Sequence, residues 1–545
     1  MIDDHARRHL FTAAQQSIAM GQGHSKHRTM AEAQRCDLTD TIEGDAFFTV
    51  DETELLRQVK DAFPSELDRL KAASVSERPN GYVKSQVPSP SMRLYGKEYD
   101  EVNRTLTGLL ALRWIWNDDY HQFTKNQRED RTLERSSFNW LRDLFRRNLR
   151  DSEDLELLVI SMIINDLGKD PSLVREVAER IEKDGRDFQQ NQNHDAVLYE
   201  AANLGMIDCL KFLSGFQTEE LKLGLALGAE LNAGQLAQAE SVPINLEFLQ
   251  DMKGQEHAFE MKFMEQMLDV AGAHGHANSD GAVNLTQAVF DTFQTVHDVS
   301  VKIISHDMPL REAYDQVLRR RNALLVNVGF RRLSVNQDRD RALLRLLTMG
   351  RTVDKDQAEL FTEAFEDLDD KNRDILVKGL NVDGKDNERA VLPYYMPAVL
   401  ADALQTTESC AKQDRQRALT SIMRYLAKVF EQSPKAEVVV NNGESPSTPT
   451  SSSSEPVPGV VIEHNMMMVR HVINSADFAK NPDQLDELDI PPAQQLQRRR
   501  TSHSLASGES DFLPKPISRT GTALSAPPAP IQEGQRMSFR SPWKD

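Results

Sequence analysis

Cysteine is scarce. The three present, Cys36, Cys209 and Cys410, stand far apart with no Cys-x-x-Cys spacing, which argues against a disulfide framework and fits a reducing compartment. Aromatic residues make up only 6% of the chain, and alternation of Val, Ile, Thr and Tyr is almost absent. Little of the chain therefore reads as strand. No apolar run reaches transmembrane length, and Met1–Met20 is polar and charged, without the apolar core of a signal peptide. Basic residues are outnumbered, 65 against 84 acidic, for a formal net charge of −19. That balance argues against nucleic acid or an anionic membrane as partner. The expectation is a soluble intracellular protein, cytoplasmic or nuclear.

What is present is helix. The hydrophobic fraction is 39%, mostly Leu, Ala, Val and Met, and from Asp51 it recurs at helical spacing. The fold class expected is all-α, with no sheet of more than two short strands. Residues 1–50 read as a loosely ordered extension, with a short helix near Arg7–Met20. Residues 51–310 read as a main helical domain and 311–433 as a further helical region. From 434 to 545 the chain turns rich in Ser, Pro and Thr, a composition that buries too little apolar area to offset chain entropy. It reads as a long disordered tail. One island in it, Val460–Val472, is a candidate docking helix, and Arg498-Arg499-Arg500-Thr501-Ser502 resembles a substrate for basophilic kinases. A kinase or protein partner acting through the tail is the corresponding expectation.

The chain is organised around Ser161–Lys169, Ser-Met-Ile-Ile-Asn-Asp-Leu-Gly-Lys. It ends a long apolar run that begins at Leu155, and Asn165, Asp166 and Lys169 gather just before a helix break at Gly168 and Pro171. Polar groups at the end of a buried helix are costly unless satisfied, so a partner is expected. Asp151 or Ser152 suits the N-cap of this helix, and Asp170-Pro171 the N-cap and first position of the next. Trp114 reads as a core anchor, and the acidic patch at Asp367, Asp369 and Asp370 as a solvated turn, since the glycine of a calcium loop is missing.

The stretch resembles the signature of the HD-domain phosphohydrolases, apolar-apolar-His-Asp-apolar-Gly-Lys, with Asn165 in place of the His. His194 follows at a spacing similar to that of the next His in the HD-GYP branch. His274-Gly-His276, running on to Asp280-Gly281, resembles that branch's His-His-Glu-x-x-Asp-Gly element, and Ala288–Phe293, with Asp291, resembles its late Asp helix. The chain is also similar to a group of uncharacterised fungal proteins. The resemblance implies an HD-like helical bundle with added C-terminal helices. It further implies a divalent metal (Fe, Mn or Zn) held by Asn165, Asp166, His194, His274, His276 and Asp291, with Asp166 and Lys169 serving hydrolysis of a small phosphorylated ligand. An amide at Asn165 is a poorer ligand than imidazole for a transition metal, and no Gly-Tyr-Pro follows Gly281. The alternative expectation is a non-catalytic HD-like or purely helical interaction protein regulated through its tail.

Overall fold

Acidic and hydroxyl side chains set the helix starts. In the computed structural model, which describes residues 30–74, 87–185, 194–385, 389–433, 461–475 and 477–496, Asp151 accepts from the Asp154 amide and opens a helix at Ser152. Asp170 accepts from the Ser172 amide with Pro171 at the first helical position. Ser214 and Gln217 form a reciprocal capping box. Asp369 caps a helix start by accepting from the Asn372 amide, so the acidic patch there is capping chemistry. Each side chain satisfies amides that the helix itself leaves unpaired.

The chain divides into two units, Met1–Pro64 and Ser65–Asp545. In the first, α1 (Met30–Glu43) and α2 (Glu52–Ala62) are joined by a turn in which Phe47 is fully buried and meets Phe48 edge-on at 5.1 Å. The extension to residue 50 is therefore not loose throughout: α1 lies within it. The helix expected near Arg7–Met20 lies outside the described residues.

The second unit starts within α3 (Pro64–Ala73) and continues through α4 (Asp100–Trp116), α5 (Arg135–Asn148), α6 (Ser152–Ile164), α7 (Pro171–Lys183) and α8 (His194–Asn203). There follow α9 (Gly215–Glu230), α10 (Glu256–Gly272), α11 (Gln287–His306) and α12 (Leu310–Asn327). Helices α4 and α10 form the central pair. Their backbones nearly touch: a Cβ on Gly272 would lie 2.2 Å from the Arg104 carbonyl oxygen, and one on Gly108 2.9 Å from that of Leu268. Helices α5, α6 and α9 pack around this pair, and Trp114 is buried within it.

Helix α11 packs on α12, and α12 packs on α13 (Asp338–Met349), which is followed by α14 (Lys355–Glu366) and α15 (Asp370–Asn381). The division expected at residue 310 is thus bridged by packed helices. Two fully buried arginines of α13 tie these layers together. Arg341 bonds Asp315 at 2.7 Å, and Arg345 donates to the carbonyls of Ala239, Ser241 and Leu380.

The C-terminal region departs from expectation. After α15 come β1 (Ala390–Tyr394), α16 (Met396–Thr406) and α17 (Lys412–Gln432). Beyond the boundary set at 434 lie β2 (Val461–Asn465), α18 (Met467–Ile473) and β3 (Ala493–Leu496). β2 runs parallel to β1 and antiparallel to β3, giving a three-stranded sheet in the order β1-β2-β3. Two strands were the most expected. Val461, Ile462, Met466, Val469, Ile473, Phe478 and Leu485 are all buried, so the island around Met466–Val469 docks into the core. His464 is fully buried and bonds the Pro491 carbonyl at 2.7 Å and the Ser433 hydroxyl at 2.9 Å. A short apolar run such as Ala390–Tyr394 does not by itself separate strand from helix, and its partner lies far along the chain. Pro393 fits because β1 is an edge strand. Residues 434–460 and 497–545, with Ser451–Ser454 and Arg498–Ser502, lie outside the described residues.

The all-α class holds, with this one small sheet. Among the described residues no helix is long and apolar enough to cross a membrane.

Candidate functional site

Helix α6 is apolar on every side from Leu157 to Ile164, Ser161 apart, and is buried accordingly. It stops at Asn165, and Leu167-Gly168-Lys169 turn tightly, with the Lys169 amide donating to the Asp166 carbonyl at 3.0 Å. The turn brings two side chains together: Lys169 Nζ lies 2.8 Å from Asp166 Oδ1. Gly168 is required there. A Cβ on it would lie 2.0 Å from the His194 carbonyl oxygen, so the start of α8 rests directly on the turn. His194 Nε2 consequently sits 3.7 Å from Asp166 Oδ1 and 3.9 Å from Asp195 Oδ2.

The central helices complete the cluster. From α4, Glu101 accepts from Lys169 at 2.9 Å and pairs with Arg104 at 3.2 Å. From α10 come Lys262, Glu265, Gln266 and Asp269, a spacing that puts them on one helical face. Lys262 and Glu265 form an ion pair. With Arg104, Asn165, Asp166, Lys169 and His194 these α10 residues line a cavity of about 90 Å³. Its apolar lining includes Phe259 and Phe263, also on α10, with Leu227 and Val296.

Burial and mutual charge set the protonation states. Burial opposes ionisation of Asp166, but Lys169, Arg104 and His194 outweigh it and hold the carboxyl well below the usual range. Burial and the charge of Asp166 push the neighbouring Glu101 up. Burial and Asp166 likewise push Asp269 up. Burial raises Glu265 to about 7 against the pull of Lys262. Lys169 stays charged, because Asp166 and Glu101 more than offset its burial.

Four lining side chains make no direct polar contact with the described residues, although Asp269 lies in the field of Arg104, Lys169 and His194. Among the described residues the side chains of Asn165, Gln266 and Asp269 make no hydrogen bond or ion pair. The Ser300 hydroxyl, fully buried on α11, has none either.

Of the residues expected at the site, Asn165, Asp166, Lys169 and His194 meet at this cavity, and His274, His276 and Asp291 are not among its lining residues. His274 and His276 sit in the turn after α10 with ring centres 5.6 Å apart, and His276 Nδ1 lies 3.2 Å from the Ala273 carbonyl. Asp291 accepts from Gln287 at 2.8 Å and pairs with Arg320 at 3.3 Å. It lies on α11 about 13 Å along the axis from Ser300, at roughly 1.5 Å per residue. Among the described residues no three His, Cys, Asp or Glu side chains come together to hold a metal ion. The donor set around Asp166 therefore does not fit the divalent metal that the HD resemblance implies: its carboxylate is already engaged by an ammonium, and a guanidinium lies close by.

Sequence reading missed Glu101, Arg104, Lys262, Glu265 and Asp269. The signal available was a charged stripe, Lys262-Glu265-Gln266-Asp269, on an otherwise apolar helix rich in Met and Phe.

The fold and site define a mainly helical protein with a charged, semi-enclosed cavity at the end of a buried helix. The chain belongs to a family of unknown function, DUF6829, whose profile matches residues 56–485. The match takes in β2, α18 and the turn up to Leu485, so these are part of the family's domain. No curated protein and no solved structure matches the chain.

Proposed function

We propose that this chain is a non-catalytic, HD-like helical domain that binds a small polar ligand in the cavity between Asp166 and α10. The observation that carries this reading is the pairing within the site. Asp166 and Glu101 are neutralised by Lys169 and Arg104, while Asn165, Gln266, Asp269 and Ser300 line the cavity with no hydrogen bond or ion pair from their side chains to the described residues. Buried polar groups are normally satisfied, and an unsatisfied set facing one cavity marks a place for a ligand or ordered water. A cavity of about 90 Å³ suits a molecule far smaller than a nucleotide, since drug-sized ligands occupy roughly 300–1,000 Å³.

A second reading, a metal-dependent phosphohydrolase, draws on His194 and Asp166 standing side by side with Lys169. Elemental analysis of the purified full chain separates the two. The binding reading expects less than stoichiometric iron, manganese or zinc, and no metal uptake that depends on Asp166. One metal per chain that Asp166→Ala removes would establish the hydrolase reading instead.

A further inference from the structure

The cavity's charges are not symmetrically used. Each of its permanent cations already faces a carboxylate: Lys169 bonds Asp166 and Glu101, Arg104 bonds Glu101, and Lys262 pairs with Glu265. One carboxylate, Asp269, has no such partner among the described residues. An entering anion would compete with these carboxylates for the same cations and would then lie near Asp269. An entering cation would meet a vacant acceptor.

The neutral groups serve such a ligand too. The amide oxygens of Asn165 and Gln266 and the hydroxyl of Ser300 offer further acceptors, and Ser300 is fully buried with its Oγ unpaired. Phe259 and Phe263 line the cavity from α10, as Asp269 does, nearer the helix N-terminus, and their rings stack with centres 6.2 Å apart. Aromatic faces attract ammonium and guanidinium groups and also cover an aliphatic stem.

Resting on the binding function proposed above, we infer that the ligand is a short organic cation, an alkylamine or guanidine. Asp269 receives its charged end and Phe263, about 9 Å nearer the N-terminus of the same helix at roughly 1.5 Å per residue, covers its carbon chain. The cavity of about 90 Å³ holds about four to six non-hydrogen atoms, taking roughly 30 Å³ as the share of one water and allowing for tighter packing.

The test is calorimetric titration of the full chain with butylamine, putrescine and methylguanidine, and separately with inorganic phosphate and acetate. At least one of the three cations should bind one per chain, and neither anion should. Asp269→Asn keeps the shape, removes the charge and breaks no protein pair, and should weaken cation binding at least tenfold. If that variant does not fold, Phe263→Leu serves in its place and should weaken binding at least threefold. Asp291→Asn, outside the cavity, should leave it unchanged. Binding of phosphate or acetate without the amines would overturn the cation assignment and leave the binding function standing. Cation binding unaffected by Asp269→Asn and Phe263→Leu would overturn its assignment to this cavity. Failure of all five probes to bind would overturn both the cation class and the binding function.

Discussion

Gly168→Ala should be disproportionately harmful for so small a change. The added methyl would stand 2.0 Å from the His194 carbonyl oxygen and 2.7 Å from its carbonyl carbon. These are backbone atoms at the start of a helix, so no rotamer change relieves the clash. Overpacking of this kind costs about 1–3 kcal/mol, and the absence of a flexible neighbour puts the site at the upper end. Against this, replacing Gly by Ala reduces unfolded-chain freedom and returns about 0.4–1 kcal/mol. The net expectation is destabilisation of about 2 kcal/mol, which for a chain of this size is roughly 2 °C in melting temperature. Gly215→Ala is the matched control: Gly215 opens α9, and nothing lies within 4 Å of its added Cβ. It should be neutral or slightly stabilising. Paired thermal melts of the two variants give the comparison, and a Gly168→Ala chain as stable as the Gly215→Ala chain would refute the claim that this turn and α8 are in backbone contact. The same displacement should move His194 from Asp166 and weaken any ligand of the cavity.

Further expectations follow from buried charge and from the docked C-terminal segment. Asp166→Ala removes the closest counter-charge of buried Lys169 and leaves Glu101 and the more distant Asp269 to offset it and Arg104; it should cost about 3–5 kcal/mol, read by thermal or denaturant unfolding, and a loss below about 1 kcal/mol, the scale of an exposed pair, would mean that water reaches the cluster freely. Glu240 is pushed up to about 8 by burial and by Glu463, against the Tyr395 and Met396 amides and Arg351. The folded protein thus holds a proton that the unfolded chain releases near 4.5, so stability falls as pH rises from about 4.5 to about 8. Glu240→Gln should flatten that decline and raise the melting temperature at pH 8 relative to the parent, and an unchanged pH profile would contradict the assignment. Truncation after Ser433 removes β2, β3 and the buried Val461, Ile462, Met466, Val469 and Phe478. At about 1.5–3 kcal/mol per buried side chain it should lower stability by more than about 5 kcal/mol, and a truncated chain that melts with the parent would show that the segment is dispensable.

Local chemistry alone determined much of this protein. Period and composition specify helices, because an amphipathic stripe or an all-apolar run satisfies its backbone only by coiling. Asp151, Asp170 and Pro171 set helix starts legibly, since a cap acts within a few residues of itself. The run ending in Asn165, Asp166 and Lys169 announced a polar site at the end of a buried helix, and His194 joins it there.

What the sequence could not decide was convergence. Asp269 and Asp291 are both carboxylates on helices; only the close crossing of α4 and α10, allowed by Gly108 and Gly272, brings the first to Asp166. Glu101 and Arg104 look like ordinary helix-surface charges until α6 ends beside them. Strand β2 lies in a region whose average composition is that of a tail, and its burial depends on β1, reached across α16 and α17. Local signals act over a few residues through caps, turns and periodicity. Pairings between distant segments depend on which surfaces the packed helices leave open to each other, and only the tertiary structure decides that.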